Sequence, residues 1–185
     1  MVYTQGFHPK PDMSFGPALS LGVPSLAEYV DLRLDAVYDD AALATLVAHM
    51  NTLTPRGLRF GGAVALHNGD PAIARVIAGA RYALVWARSA LREVSGSDDV
   101  IAWLEQKCAT AMAATELTHR REIEGVGRIV DVRKYLRRAA VGDAFVQAEV
   151  VRAGLFGDLV VADVEVEITG SGSVKASEVA LAIAG

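Results

Sequence analysis

The chain has 185 residues, 52% of them hydrophobic and 22% charged, with a formal net charge of −4. That length suits one large domain or two small ones, and the balance of apolar to charged residues excludes wholesale disorder. The slight acidity gives no global case for nucleic-acid binding, the single cysteine, Cys108, excludes an internal disulfide, and no run approaches the ~20 apolar residues of a membrane span.

The opening Met1-Val2-Tyr3-Thr4-Gln5-Gly6 has no basic-then-apolar leader, so a cytoplasmic location is expected. Residues 1–24 are dense in Gly, Pro and aromatics, and Pro9, Pro11, Pro17 and Pro24 keep that backbone extended or looped. Val30, Leu32 and Leu34 alternate with Asp31, Arg33 and Asp35, the pattern of a half-buried strand. Asp39 is a helix cap, and Leu43, Leu46, Val47, Met50 and Leu53 recur at helical spacing until Pro55 and Gly57 end the helix. Residues 58–65 read as a second strand. His67-Asn68-Gly69-Asp70-Pro71 is turn chemistry, and the boundary between an N-terminal unit, 1–70, and a C-terminal unit, 71–185, is placed there.

After a short apolar piece at 73–78, residues 82–87 are apolar on both faces and read as a central strand. Ser97 is expected to cap a helix with Val100, Ile101, Leu104, Cys108 and Met112 as its buried stripe. Cys108 on that stripe reads as a small core residue. Residues 115–123 read as a strand, and 126–136 carry no decisive period. Residues 145–151 read as a strand that forms a hairpin, through 153–157, with the strand in which Val160, Ala162, Val164, Val166 and Ile168 alternate with Val161, Asp163, Glu165 and Glu167. Ala176–Ala184 is the closing helix.

The run Tyr3-Thr4-Gln5-Gly6-Phe7-His8-Pro9-Lys10-Pro11-Asp12-Met13-Ser14-Phe15-Gly16-Pro17-Ala18-Leu19-Ser20-Leu21-Gly22-Val23, continued by Ser25-Leu26-Ala27-Glu28-Tyr29-Val30-Asp31-Leu32-Arg33-Leu34, resembles the signature of the radical-SAM-linked domain family. Val130-Asp131-Val132-Arg133 and Gly172-Ser173-Val174-Lys175-Ala176-Ser177-Glu178-Val179 extend the resemblance more weakly over most of the chain. The resemblance implies a radical SAM protein as partner, a link to RNA metabolism, and no established activity. It also implies a further strand and helix ahead of the signature, so that the N-terminal unit here is incomplete. An open sheet edge and a bare apolar face would follow, favouring partner binding or a homodimer. Strand–helix–strand occurs twice along the chain, so the expected fold is α+β, two small ferredoxin-like sheet-and-helix units with the first incomplete.

A radical SAM cluster needs three closely spaced cysteines, which one cysteine cannot supply. His8, His49, His67 and His119 are scattered, so neither a metal site nor a cofactor of its own is expected. Two segments are candidates for function. In Gln5, Gly6, Phe7, His8 and Lys10, glycine lets a ligand approach the backbone, Phe7 offers a stacking face, His8 can exchange protons near neutral pH and Lys10 can meet a phosphate. The alternative is a rigid loop whose Phe7 and Phe15 pack into the core. Arg120, Arg121, Arg128, Arg133, Lys134, Arg137 and Arg138 stand against Glu122, Glu124 and Asp131, and residues 143–167 carry six acids and only Arg152. Such segregation suits RNA, with Tyr135 stacking on a base, or an acidic partner, or else pairing with the acidic strands across the sheet.

Two glycine motifs are set aside. Gly125-Val126-Gly127-Arg128 lacks the third glycine of a dinucleotide fingerprint, and Gly170-Ser171-Gly172-Ser173 reads as the turn between strand and helix. The functional expectation is a non-enzymatic accessory module presenting substrate to a separate radical SAM protein. The alternatives are an RNA-acting enzyme using loop 6–10 with His8 as acid/base, and a dimerising structural piece.

Overall fold

The structure, a computed structural model, describes residues 1–123, 126–170 and 172–185. The chain separates into two compact units, Met1–Ala18 with Glu28–Val76, and Leu19–Ala27 with Ile77–Gly185.

In the first unit β1 (Met13–Phe15) and β2 (Val30–Leu32) pair antiparallel, with Met13 opposite Leu32 and Phe15 opposite Val30. The alternating pattern at 30–35 therefore yields three residues of strand. Helix α1 (Asp40–Leu53) begins as expected, with the Asp39 carboxylate accepting the Ala42 N–H at 2.8 Å. It ends at Thr54 because Pro55 disfavours helical backbone in the residue before it. A single turn, α2 (Ile73–Val76), is anchored where the Ile73 N–H donates to the Asp31 carboxylate at 2.8 Å. The strand expected at 58–65 does not form. The Asn51 side chain takes both the N–H of Phe60, at 2.8 Å, and its carbonyl, at 3.0 Å, the two groups a ladder would have used. Leu43 alone among the described residues of this unit is buried.

The second unit carries β3 (Gly79–Ala87), α3 (Arg88–Ser95), α4 (Val100–Ala113), β4 (Thr118–Ile123), β5 (Val126–Asp131), a 3-10 turn (Val132–Lys134), β6 (Leu136–Val141), α5 (Ala144–Arg152), β7 (Leu159–Glu167) and α6 (Ala176–Ala184). Its main sheet has the order β3–β7–β6, both pairs antiparallel, and β4 with β5 forms a separate two-stranded ribbon. One face of the sheet, with Leu84, Leu136, Ala162, Val164 and Val166, packs on Leu91 of α3, on Val100, Leu104, Cys108 and Ala111 of α4, and on Val179 and Ile183 of α6. A smaller cluster on the opposite face sets Val146 and Val150 of α5 over Val161. Each buried Val, Leu or Ile among these contributes about 1.5–3 kcal/mol, so nearly all the hydrophobic stabilisation resides in this unit.

Three expectations are corrected here. Residues 145–151 are helical, because Asp143 caps the segment by accepting the Val146 N–H at 3.0 Å and Val146 and Val150 fall one turn apart on the buried side. The hairpin proposed with β7 therefore does not exist, and β7 takes β3 and β6 as neighbours instead. β3 lies at an edge, and the centre belongs to β7, buried on both faces from Val160 to Val164. The cap of α4 is Asp99, which accepts the Ala102 N–H at 3.0 Å, while the Ser97 hydroxyl donates to the Asp99 carbonyl. The α+β class stands as expected. The described strands establish that class and not the finer ferredoxin-like arrangement, since the larger sheet holds three strands.

Candidate functional site

The loop of residues 3–11 belongs to the first unit. It is closed at its base by a bridge between Tyr3 and Pro11, by the Thr4 N–H donating to the Lys10 carbonyl at 2.8 Å, and by the Lys10 N–H donating to Thr4 Oγ1 at 3.1 Å. Everything beyond that neck stands in solvent. Gln5, Gly6, His8 and Lys10 are exposed, and Phe7 reaches 102% relative exposure. Gly6 has a φ of +150°, a conformation a side-chain-bearing residue rarely adopts. Phe15 is also exposed, so the packed-loop alternative is not what the chain adopts: neither ring is in a core.

The basic segment disperses into distinct roles. Arg121 on β4 is bound by Glu178 of α6, Nε to Oε1 at 2.5 Å and Nη2 to Oε2 at 2.7 Å, and also donates to the Ser173 carbonyl. Glu178 is buried, and its Oε2 accepts the Lys175 N–H at 2.9 Å, closing the first turn of α6. Burial pushes this carboxyl up, but the Arg121 and Lys175 hydrogen bonds and the charges of Arg121 and His119 bring it below its ordinary value. The hydrogen bond and charge of Glu178 in turn raise Arg121. Arg138 joins Arg81 on the buried Asp163, at 2.8 Å for Arg138 and at 2.6 and 2.9 Å for Arg81. Arg137 pairs with Glu167 and donates to the Lys134 carbonyl. Arg133 staples the end of α4 to the start of β6 through the carbonyls of Ala114 and Leu136. The expected pairing with an acidic strand across the sheet thus accounts for Arg137 and Arg138, on Glu167 and Asp163 of β7, whereas Arg121 pairs with helix α6 instead.

Arg120, Arg128 and Lys134 remain at the surface. Arg120 lies across Gly127, where a side chain would collide with its guanidinium. Arg128 sits directly opposite Arg121 in the ribbon, a like-charge pairing that costs stability in isolation. Lys134 Nζ is 3.9 Å from Asp131, too far for a hydrogen bond. Glu124, Gly125 and Ser171 lie outside the described residues.

Sequence reasoning did not find the cleft of about 250 Å³ where these elements meet, lined by Arg121, Ile129, Asp131, Lys134, Tyr135 and Ser173. Only folding brings 121, 134 and 173 to one place, although Arg121, Lys134 and Tyr135 were each singled out. Among the described residues no three His, Cys, Asp or Glu side chains come together to hold a metal ion. Cys108 is buried, which pushes its thiol up to about 11 and leaves it unreactive as a nucleophile. No helix is long and apolar enough to cross a membrane among the described residues.

The family model for uncharacterized proteins conserved in bacteria, DUF2344, matches residues 1–169. The chain belongs to the DUF2344 family. The match takes in the exposed loop 3–11, the arginine-rich ribbon and the whole three-stranded sheet of this DUF2344 member. No curated protein and no solved structure matches it.

Proposed function

We propose that this DUF2344 protein is a non-enzymatic accessory module that docks on a separate radical SAM protein through its first unit and presents that enzyme's substrate. The observation that carries the reading is the mismatch between signature and burial. The first unit buries one apolar side chain, Leu43, while Tyr3, Phe7, Phe15, Tyr29 and Val37 are exposed. Apolar surface on this scale, with Phe7 displayed on a closed-neck loop, is what a protein-binding surface offers. The two-stranded β1–β2 sheet supports the same reading, because a pair of short strands gains stability from a further packed layer. The choice of a radical SAM protein as partner rests on the sequence signature of residues 3–34, and the accessory role on a single cysteine being unable to ligate a cluster.

The test is a tagged pull-down from native cells, with and without RNase. Recovery of a radical SAM protein in both arms, lost with Phe7→Ala, supports the reading. Recovery of a second copy of this chain alone, or of no protein, overturns it, and loss on RNase would make RNA the bridge in place of a direct contact.

A further inference from the structure

We infer that the cleft between the β4–β5 ribbon and the start of α6 binds one phosphate-bearing nucleotide unit, its phosphate held by Lys134 and Arg121 and its base resting on Tyr135 and Ile129. The argument begins with donors. Glu178 and the Ser173 carbonyl occupy Nε and Nη2 of Arg121, and no described group takes Nη1. Lys134 Nζ stands 3.9 Å from its nearest carboxylate, and Tyr135 Oη has no described partner. Among the described residues, therefore, Arg121 Nη1 and Tyr135 Oη have no acceptor and Lys134 Nζ has only the long ion pair to Asp131, and all three donor groups line one concavity.

The single carboxylate in the wall, Asp131, meets Lys134 only at a distance, its Oδ2 lying 3.9 Å from Nζ. Asp131 Oδ1 already accepts the N–H groups of Leu117, at 3.0 Å, and Arg133, at 3.1 Å. Glu178 lies buried behind Arg121 and fixes the guanidinium in place, so little side-chain entropy is lost when an anion arrives. Arg128, directly opposite Arg121 across the ribbon, leaves the local charge positive, and an anion relieves that like-charge pairing.

The remaining wall includes an aliphatic and an aromatic side chain. Ile129 is 70% exposed, and Tyr135, half-buried against the core, lines the cleft. Gly172 faces the phenol, where a Cβ would lie 3.8 Å from Tyr135 Oη. Its φ of +135° is one that residues with a side chain rarely adopt. At about 250 Å³ the space is smaller than the roughly 300–1,000 Å³ of ordinary ligand pockets, which fits one nucleotide unit of a free nucleotide or of an RNA strand. The role of the cleft, holding what the module presents, rests on the accessory reading; its existence does not.

The experiment uses the full chain alone and titrates it calorimetrically with adenosine monophosphate, the RNA tetranucleotide r(A)4, and adenosine. Binding of adenosine monophosphate, r(A)4 or both, about tenfold weaker in Lys134→Gln and unchanged in Lys107→Gln, supports the inference. Lys134→Gln removes a charge from an exposed side chain that makes no short contact, so the fold is retained, and Lys107→Gln removes the same charge from α4 of the same unit. A response to adenosine monophosphate alone identifies a free nucleotide, and to r(A)4 alone a strand. Absence of binding by both phosphate-bearing probes, equal affinity for adenosine and adenosine monophosphate, or equal weakening in the two variants overturns it. A failed pull-down leaves this result untouched, and the reverse holds.

Discussion

Replacing Glu178 by Gln tests whether the buried carboxylate is what fastens α6 to the ribbon. The side chain is 6% exposed and receives three donors, two from Arg121 and one from the Lys175 N–H. An amide of the same shape keeps one acceptor but sets its own N–H₂ against a donor. It also leaves the Arg121 charge without its counter-ion. Breaking a buried pair from one side costs about 3–5 kcal/mol, and because Arg121 retains 24% exposure and can be partly solvated, the lower end, about 3 kcal/mol, applies.

Both tryptophans, Trp86 and Trp103, lie in the second unit, so their fluorescence in urea follows that unit alone. With m of about 1–3 kcal/mol/M the midpoint falls by roughly 1–3 M. The effect has a definite pH signature. Folding lowers this pKa, so around and below the ordinary glutamate range the folded state binds fewer protons than the unfolded one. The contribution is full above the unfolded value and disappears as pH falls through the folded one. The gap between wild type and Glu178→Gln is therefore wide at pH 7 and closes in acid. Equal midpoints at pH 7, or a gap that acid leaves unchanged, would refute the reasoning.

Other expectations are as direct. Asp163→Asn leaves Arg81 and Arg138 unpaired; since each is nearly half-exposed, the loss is about 1–3 kcal/mol, read from the same urea curve. Asp143→Ala removes the α5 cap and costs about 1 kcal/mol, whereas a strand at 145–151 would not register the change. Cys108 in the native chain stays unmodified by a disulfide reagent at pH 8 and reacts fully in urea; rapid native labelling would contradict its burial. Phe7→Ala leaves the thermal midpoint unchanged, because the ring touches nothing.

Local signals in the chain were read correctly where one cap or one period decides. Asp39 and the apolar spacing behind it produce α1, the 176–184 pattern produces α6, and the alternation from Val160 onward produces β7. Misreadings arose where two local signals compete. The β-branched residues of 145–151 favour a strand, yet Asp143 and the one-turn spacing of Val146 and Val150 outweigh them. Ser97 and Asp99 are both capping residues, and the one adjacent to the first helical turn takes the position. The basic segment was visible as a count of charges but not as geometry, because its counter-ions lie far along the chain: Arg121 finds Glu178 57 positions away. The cleft was illegible for the same reason, its residues being joined only through the ribbon and α6.

The position of β7 has a consequence for how the molecule is made. The centre of the sheet is its last strand to be synthesised, and Arg81 meets Asp163 82 positions later. At about 5–20 residues per second on the ribosome, β3 waits roughly 4–16 s for its partner. During that interval an apolar strand has nothing to pair with, and such non-local closure is slow even when the partner is present. The nascent chain therefore carries β3 without its neighbour while all of residues 88–158 are added, and the sheet closes only when β7 emerges between two edges already made.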